Sequence, residues 1–216
     1  MLLRFGPFLA LALVRVAVAR LAPFPGMFPD EAAYLLTAQH LAGVGPAPVL
    51  QGLPVHSFGY PLLIAPLFAI FDAPLSAYAA AQVLNALAVS SLAFLLRAFL
   101  VRLLELDYAR ATWIAGVAAL YPAYTAAPMT AWPESVFVVG FTALVVLAWR
   151  LARRPSAGAA LAAAGVAVLL HAVHGRALPC LAALAAWSVV SATGRGIRPR
   201  DCALVVAACA AGYLGA

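Results

Sequence analysis

Long apolar runs separated by short polar breaks dominate the chain, and their lengths predict α-helices that cross a membrane. An α-helix rises about 1.5 Å per residue, so about 20 mainly apolar residues, within a range of roughly 17–25, span the hydrocarbon layer. Runs near that length cover Phe5–Phe24, Ser76–Leu104, Ala111–Ala127, Glu134–Trp149, Ala157–His174 and Ala177–Thr193. A last run begins near Cys202 and is still apolar at Ala216, so the chain is expected to be the amino-terminal part of a longer protein. Between the first two runs the pattern changes. Residues 25–57 are rich in Pro and Gly and interrupted by polar positions, and the apolar piece that follows, Tyr60–Phe71, is too short to cross comfortably. Within this stretch Glu31–Leu41 is amphipathic enough to form a helix lying at the interface. No internal repeat and no low-complexity linker is evident.

Composition excludes a soluble fold. Of 216 residues, 66% are hydrophobic and 9% charged, against about 25% charged in an ordinary soluble domain. Mean hydropathy is +1.03. All 13 basic residues are Arg, and the Ala, Arg, Gly and Pro load without Lys points to a GC-rich, bacterial genome. The net charge of +6 does not indicate a nucleic-acid partner, because the arginines sit in short clusters between apolar runs, as topology signals do. Cys180, Cys202 and Cys209 lie in apolar segments without metal-ligand spacing and are read as small buried hydrophobes. Arg15 and Arg20 interrupt the first run, and no small-x-small site follows it, so it is read as a helix rather than a cleaved signal peptide.

The arginines also decide the fate of Tyr60–Phe71. If that piece dips into the outer leaflet and returns, then Arg4, Arg97, Arg102, Arg110, Arg150, Arg153, Arg154, Arg195, Arg198 and Arg200 share one side, and only Arg176 lies opposite. The positive-inside rule then places the amino terminus in the cytoplasm. The expected fold is an all-α, polytopic transmembrane helical bundle of about seven crossings, a single domain over 1–216. Its long first outward loop, about 25–75, carries interfacial helices. The expected location is the inner or plasma membrane, with the bilayer itself as a partner.

Seven residues are acidic. Asp72 marks a turn, and Glu105, Asp107 and Asp201 sit among arginines as ion pairs. Asp30, Glu31 and Glu134 remain, all on the expected outer side. Pro29-Asp30-Glu31 suits the first turn of a helix, where acids complement the positive end of the dipole. It equally suits a carboxylate placed at a membrane surface to deprotonate a hydroxyl. Glu134, after Pro133, carries the same two readings. Arg176 is either a side chain snorkelling to the headgroups or a phosphate clamp, since guanidinium binds phosphate through two parallel hydrogen bonds. His171 and His174 share a helix face but lack a third ligand, which favours interfacial polar residues over a metal pair. Arg15, deep in the first helix, is expected to face a cavity or a partner, because charge in hydrocarbon is costly.

The order of these features resembles the GT-C class of membrane glycosyltransferases, especially relatives of protein O-mannosyltransferases and aminoarabinose transferases. The residues that carry the resemblance are Pro29-Asp30-Glu31 after the first helix, Tyr34 in the interfacial helix, Gly59-Tyr60-Pro61-Leu62-Leu63, Tyr121-Pro122, Pro133-Glu134-Ser135, and the basic Arg176 after the fifth crossing. The resemblance spans almost the whole chain, as the amino-terminal part of such a module. It implies a polyprenyl-phosphate sugar donor, a sugar, lipid or protein acceptor in the cell envelope, and inverting transfer on the extracytoplasmic face. Asp30 inherits the role of base, Glu31 supports the same site, and Glu134 takes the second-loop acid position. Arg176, with His174, corresponds to the group that holds the donor phosphate. Tyr34, His56 and Tyr60 become substrate-site candidates. No cofactor is specified, and a divalent metal is compatible with such a site. His56-Ser57-Phe58-Gly59-Tyr60-Pro61 replaces the His-Pro-Pro of mannosyltransferases, and the second acid is Glu, so sugar and acceptor stay open. The competing classes are a transporter, resting on Arg15, Arg20, Gln82 and Asn85 within helices, and a non-catalytic membrane subunit.

Overall fold

The computed structural model describes residues 2–26, 28–47, 51–53, 57–193 and 197–214. It is all-helical, with ten α-helices and no strand among the described residues. The chain divides into two compact units, Met1–Val139 and Gly140–Ala216.

In the first unit α1 spans Leu2–Ala19. It was expected to continue to Phe24 and stops five residues short. Pro23 and Pro25 follow; proline supplies no N–H and disfavours helix in the residue before it. The last turn tightens accordingly, with Leu21 N bonded to Val18 O and Ala22 N to Ala19 O. α2, Pro29–Leu41, starts with Pro in its first turn and both acids beside it. It ends in a Schellman turn. Gly43 takes φ +75°, its N–H reaches His40 O, and Val44 N reaches Gln39 O, closing the last carbonyls where only a residue without Cβ is unstrained. α3 spans Gly59–Ile70, and α4 spans Pro74–Leu103, 30 residues and about 45 Å at the helical rise. α1, α3 and α5 all pack on α4. Leu11, Ala93 and Ala119 meet in the interior, and Phe8 stacks on Phe94 with centroids 5.2 Å apart.

The expected helix Ala111–Ala127 is not one helix. α5 covers Tyr108–Ala119, a separate turn α6 covers Pro122–Ala126, and a 3-10 turn follows over Ala127–Met129. The break lies at Tyr121-Pro122, where the proline removes a helical donor. Asp107 caps α5 by accepting from Arg110 N at 3.0 Å and pairs with the Arg110 guanidinium at 3.1 Å.

α7, Glu134–Arg153, begins in the first unit and continues into the second. There α8 spans Ala157–Val173, α9 Leu178–Thr193 and α10 Pro199–Leu214. Ser156 caps α8 by accepting from Ala159 N at 3.2 Å. Ala160, Ala163, Ala164 and Ala167 are fully buried on one face of α8. Small residues let backbones approach closely, which is how helices associate in a lipid solvent. Val205 and Cys209 of α10 are buried too.

α4, α7 and the segment Gly175–Ala192 are long and apolar enough to cross a membrane, and Phe5–Ala19, Gly59–Ile70 and Ala157–Val173 are shorter apolar helices. The α4 window is only 33% buried and that of α7 17%, so most of their apolar surface needs a hydrocarbon solvent. Membrane association follows from this.

Candidate active site around the acidic pair

Two neighbouring acids in the first turn of α2 have opposite environments. Asp30 is exposed, whereas Glu31 is fully buried. Successive helical positions are turned about 100° from one another, so one of the pair can face inward while the other faces out. The inward face of α2 continues through Tyr34, Leu35 and Ala38, all buried, at the three- and four-residue spacing of a helical stripe.

Glu31 is held by donors from three other parts of the first unit. Its Oε2 accepts from Gly26 N at 2.6 Å. Its Oε1 accepts from Tyr78 OH at 3.1 Å and from Ala131 N at 2.7 Å. A buried carboxylate is costly unless hydrogen-bonded, and here two backbone amides and a phenol supply the bonds. Glu31 thereby ties the segment after α1 and the segment before α7 to α2 and α4.

The polar stripe of α4 continues this fastening. Tyr78 OH donates to Met129 O at 3.0 Å. The Gln82 amide donates to Ala22 O at 2.8 Å and to Met129 O at 3.0 Å. Asn85 Nδ2 donates to Tyr60 OH at 2.9 Å and to Thr130 O at 3.0 Å. Tyr78, Gln82 and Asn85, at i, i+4 and i+7, therefore hold the loop between α6 and α7. Tyr60, a substrate-site candidate, is fully buried, and Tyr34, another, packs edge-on against it with ring centroids 5.7 Å apart. Both rings stand inside the unit, behind the surface that carries Asp30.

Glu134, at the first position of α7, is exposed. It lines a cavity of about 740 Å³ whose other walls are mostly apolar, among them Phe24, Phe28, Met129, Trp132 and Phe137. Gly26, whose amide holds Glu31, lines the same cavity. Phe28, directly before α2, packs on Trp132 at 5.3 Å. The structure thus gathers Glu31, Tyr34, Tyr60 and the start of α7 in one unit, with Asp30 and Glu134 exposed.

His174 and Arg176 belong to the second unit. His174 caps a 3-10 turn, Gly175–Ala177, its Nδ1 accepting from Arg176 N at 3.3 Å, and the Arg176 side chain is exposed. His56 falls outside the described residues. Among the described residues no group of three or more His, Cys, Asp or Glu is placed to hold a metal ion.

Tyr78 was not singled out in the sequence. A usable signal was present, since Tyr78, Gln82 and Asn85 recur at i, i+4 and i+7 on one face of α4. Arg15 likewise finds partners. It is 1% exposed, and it donates to Ser90 Oγ at 2.8 Å, Tyr124 O at 3.2 Å and Ala119 O. Ala119 ends α5, so the guanidinium serves the unpaired carbonyls and negative dipole of a helix terminus.

Comparison with known proteins found no matching family model, no matching curated protein and no matching solved structure.

Proposed function

We propose that this chain belongs to a membrane glycosyltransferase of the GT-C kind, moving a sugar from a polyprenyl-phosphate donor to an acceptor hydroxyl on the extracytoplasmic face. The observation that carries the proposal is the split of the acidic pair. Glu31 is buried and fastened by three hydrogen bonds, and this anchors the turn that presents exposed Asp30. A general base needs a fixed position more than unusual strength, because its contribution depends on reaching the hydroxyl as the new bond forms. Asp30 is the base in this scheme. The acceptor oxygen attacks the anomeric carbon as its proton passes to Asp30, the bond to the donor phosphate breaks, and polyprenyl phosphate leaves with the electron pair. Attack opposite the leaving group inverts the centre. Glu134 lies on the apolar cavity, suited to orienting a polar sugar beside a lipid. The phosphate roles of Arg176 and His174 rest on the resemblance alone.

The topology that goes with this function has about seven crossings. Residues 25–75 lie outside, and α3 dips into the outer leaflet without crossing. The arginine distribution supports this placement, since with α3 outside ten arginines share one side and only Arg176 lies opposite. Of the polar residues on which a transporter would depend, Arg15, Gln82 and Asn85 donate to backbone carbonyls, and Arg20 lies beyond the end of α1.

The test uses the full-length protein in vesicles with its outward face accessible, supplied with polyprenyl-phosphate sugars and a mixture of envelope acceptors. The expected result is acceptor-dependent release of polyprenyl phosphate with the sugar recovered on the acceptor in inverted configuration. Transport of an intact solute, with every donor left unconsumed, would overturn the proposal.

A further inference from the structure

The second unit has a groove of about 610 Å³ that the chemistry above does not use. It runs between α7 and α9. Its α7 wall is formed by positions 141, 144, 145, 148, 149 and 152, which lie on one helical face at the three- and four-residue spacing. Its α9 wall includes Cys180, Ala183 and Trp187. Apart from a thiol and two indole N–H groups the lining side chains are apolar.

One end of the groove is cationic. α7 closes with Arg150 and Arg153 in its last turn, and Arg154 follows; all three are exposed. The Arg153 guanidinium stands 6.0 Å from the ring centroid of Trp149, and Trp149 lines the groove. An apolar slot on a lipid-facing helix thus ends at an indole with the Arg153 guanidinium beside it. Tryptophan favours the level of the lipid headgroups, and guanidinium pairs with phosphate through two parallel hydrogen bonds.

We infer that this groove binds an anionic phospholipid of the bilayer, with an acyl chain along α7 and α9 and the headgroup phosphate at Arg153, the guanidinium that stands over Trp149. Charge complementarity selects this occupant. An apolar helix docking in the slot would gain nothing from the cationic end. A zwitterionic lipid brings an ammonium group that opposes it. Each Arg near an anionic headgroup strengthens binding about fivefold. The site depends on α7 lying in a membrane and is independent of the transferase chemistry.

Tryptophan quenching tests it. The four tryptophans are reduced to Trp149 and Trp187 by Trp113→Phe and Trp132→Phe. The chain is then placed in phosphatidylcholine vesicles holding a minor fraction of either brominated phosphatidylglycerol or brominated phosphatidylcholine. The anionic lipid is expected to quench at a clearly lower mole fraction, and the preference to shrink in high salt. Arg153→Gln should reduce the preference about fivefold while quenching by phosphatidylcholine persists. Ala183→Phe, which fills the exposed side of the groove and leaves every Arg in place, should abolish the preference. Native mass spectrometry of the chain with all four tryptophans should show phosphatidylglycerol retained ahead of phosphatidylcholine. Equal quenching by the two lipids would overturn the inference, as would quenching by neither. A preference that survives Ala183→Phe would also overturn it, because surface charge alone would then account for the selectivity.

Discussion

Arg15 and Glu31 are charged and almost wholly inside the first unit, and each is surrounded by partners of the opposite hydrogen-bonding sense. Arg15 donates to two carbonyls and a hydroxyl, while Glu31 accepts from two amides and a phenol. Glu31 can therefore be tested apart from any catalytic role. In Glu31→Gln one carboxylate oxygen becomes an amide N–H₂, which must face a donor that the oxygen had satisfied. A buried group left unsatisfied costs about 1–3 kcal/mol, so the midpoint of thermal unfolding in detergent, followed by helical circular dichroism, should fall. A midpoint equal to that of the unaltered protein would show that Glu31 does not fasten the unit. The sequence separates Asp30 from Glu31 only by the 100° between neighbouring helical positions. Which of the two faces inward depends on Ala131, 100 positions away, and no local pattern encodes such a contact. For Arg15, burial cost alone announced a partner, but the identity of that partner as the end of α5 depends on packing.

Helix existence was legible in the apolar runs, and most helix ends lie within a few residues of where the runs end. The exceptions have local causes in proline. α1 stops before Pro23, and the run Ala111–Ala127 is broken at Pro122, although its composition is apolar throughout. Run length measures hydrophobicity, whereas helix continuity depends on backbone donors, and prolines set the two apart. The helix expected over Glu31–Leu41 is present as α2, but its inward stripe includes a carboxylate, which a purely apolar criterion does not recognise. For α3 the deciding feature is the arginine distribution, because α5 has the same 12 residues, and its placement can be read chemically. In a chain lacking Cys180, Cys202 and Cys209, single cysteines at Ser57 and Ala73 should both react with a membrane-impermeant maleimide applied from outside. Labelling of the Ala73 position from the cytoplasmic side alone would mean that α3 crosses, and the outward placement of Glu134 would be lost with it.

At the scale of the whole molecule, an all-helical membrane chain follows from composition. Its division into two compact units does not, because the boundary at Val139–Gly140 falls inside the apolar helix α7 without a linker or change in composition. The proposed function concentrates on the first unit, where the buried acid, the polar stripe of α4 and the cavity beside Glu134 surround the turn that presents Asp30. The most direct test compares Asp30→Asn and Glu31→Gln in the full-length protein, measuring single-turnover sugar transfer and donor binding on the same purified samples. Asn keeps the size of Asp and cannot take a proton, so Asp30→Asn should slow transfer by about 10²–10⁴-fold while donor affinity is retained. Glu31→Gln should lose less activity and more thermal stability. Transfer by Asp30→Asn at the rate of the unaltered enzyme would contradict the account, because Asp30 would then take no proton in the reaction.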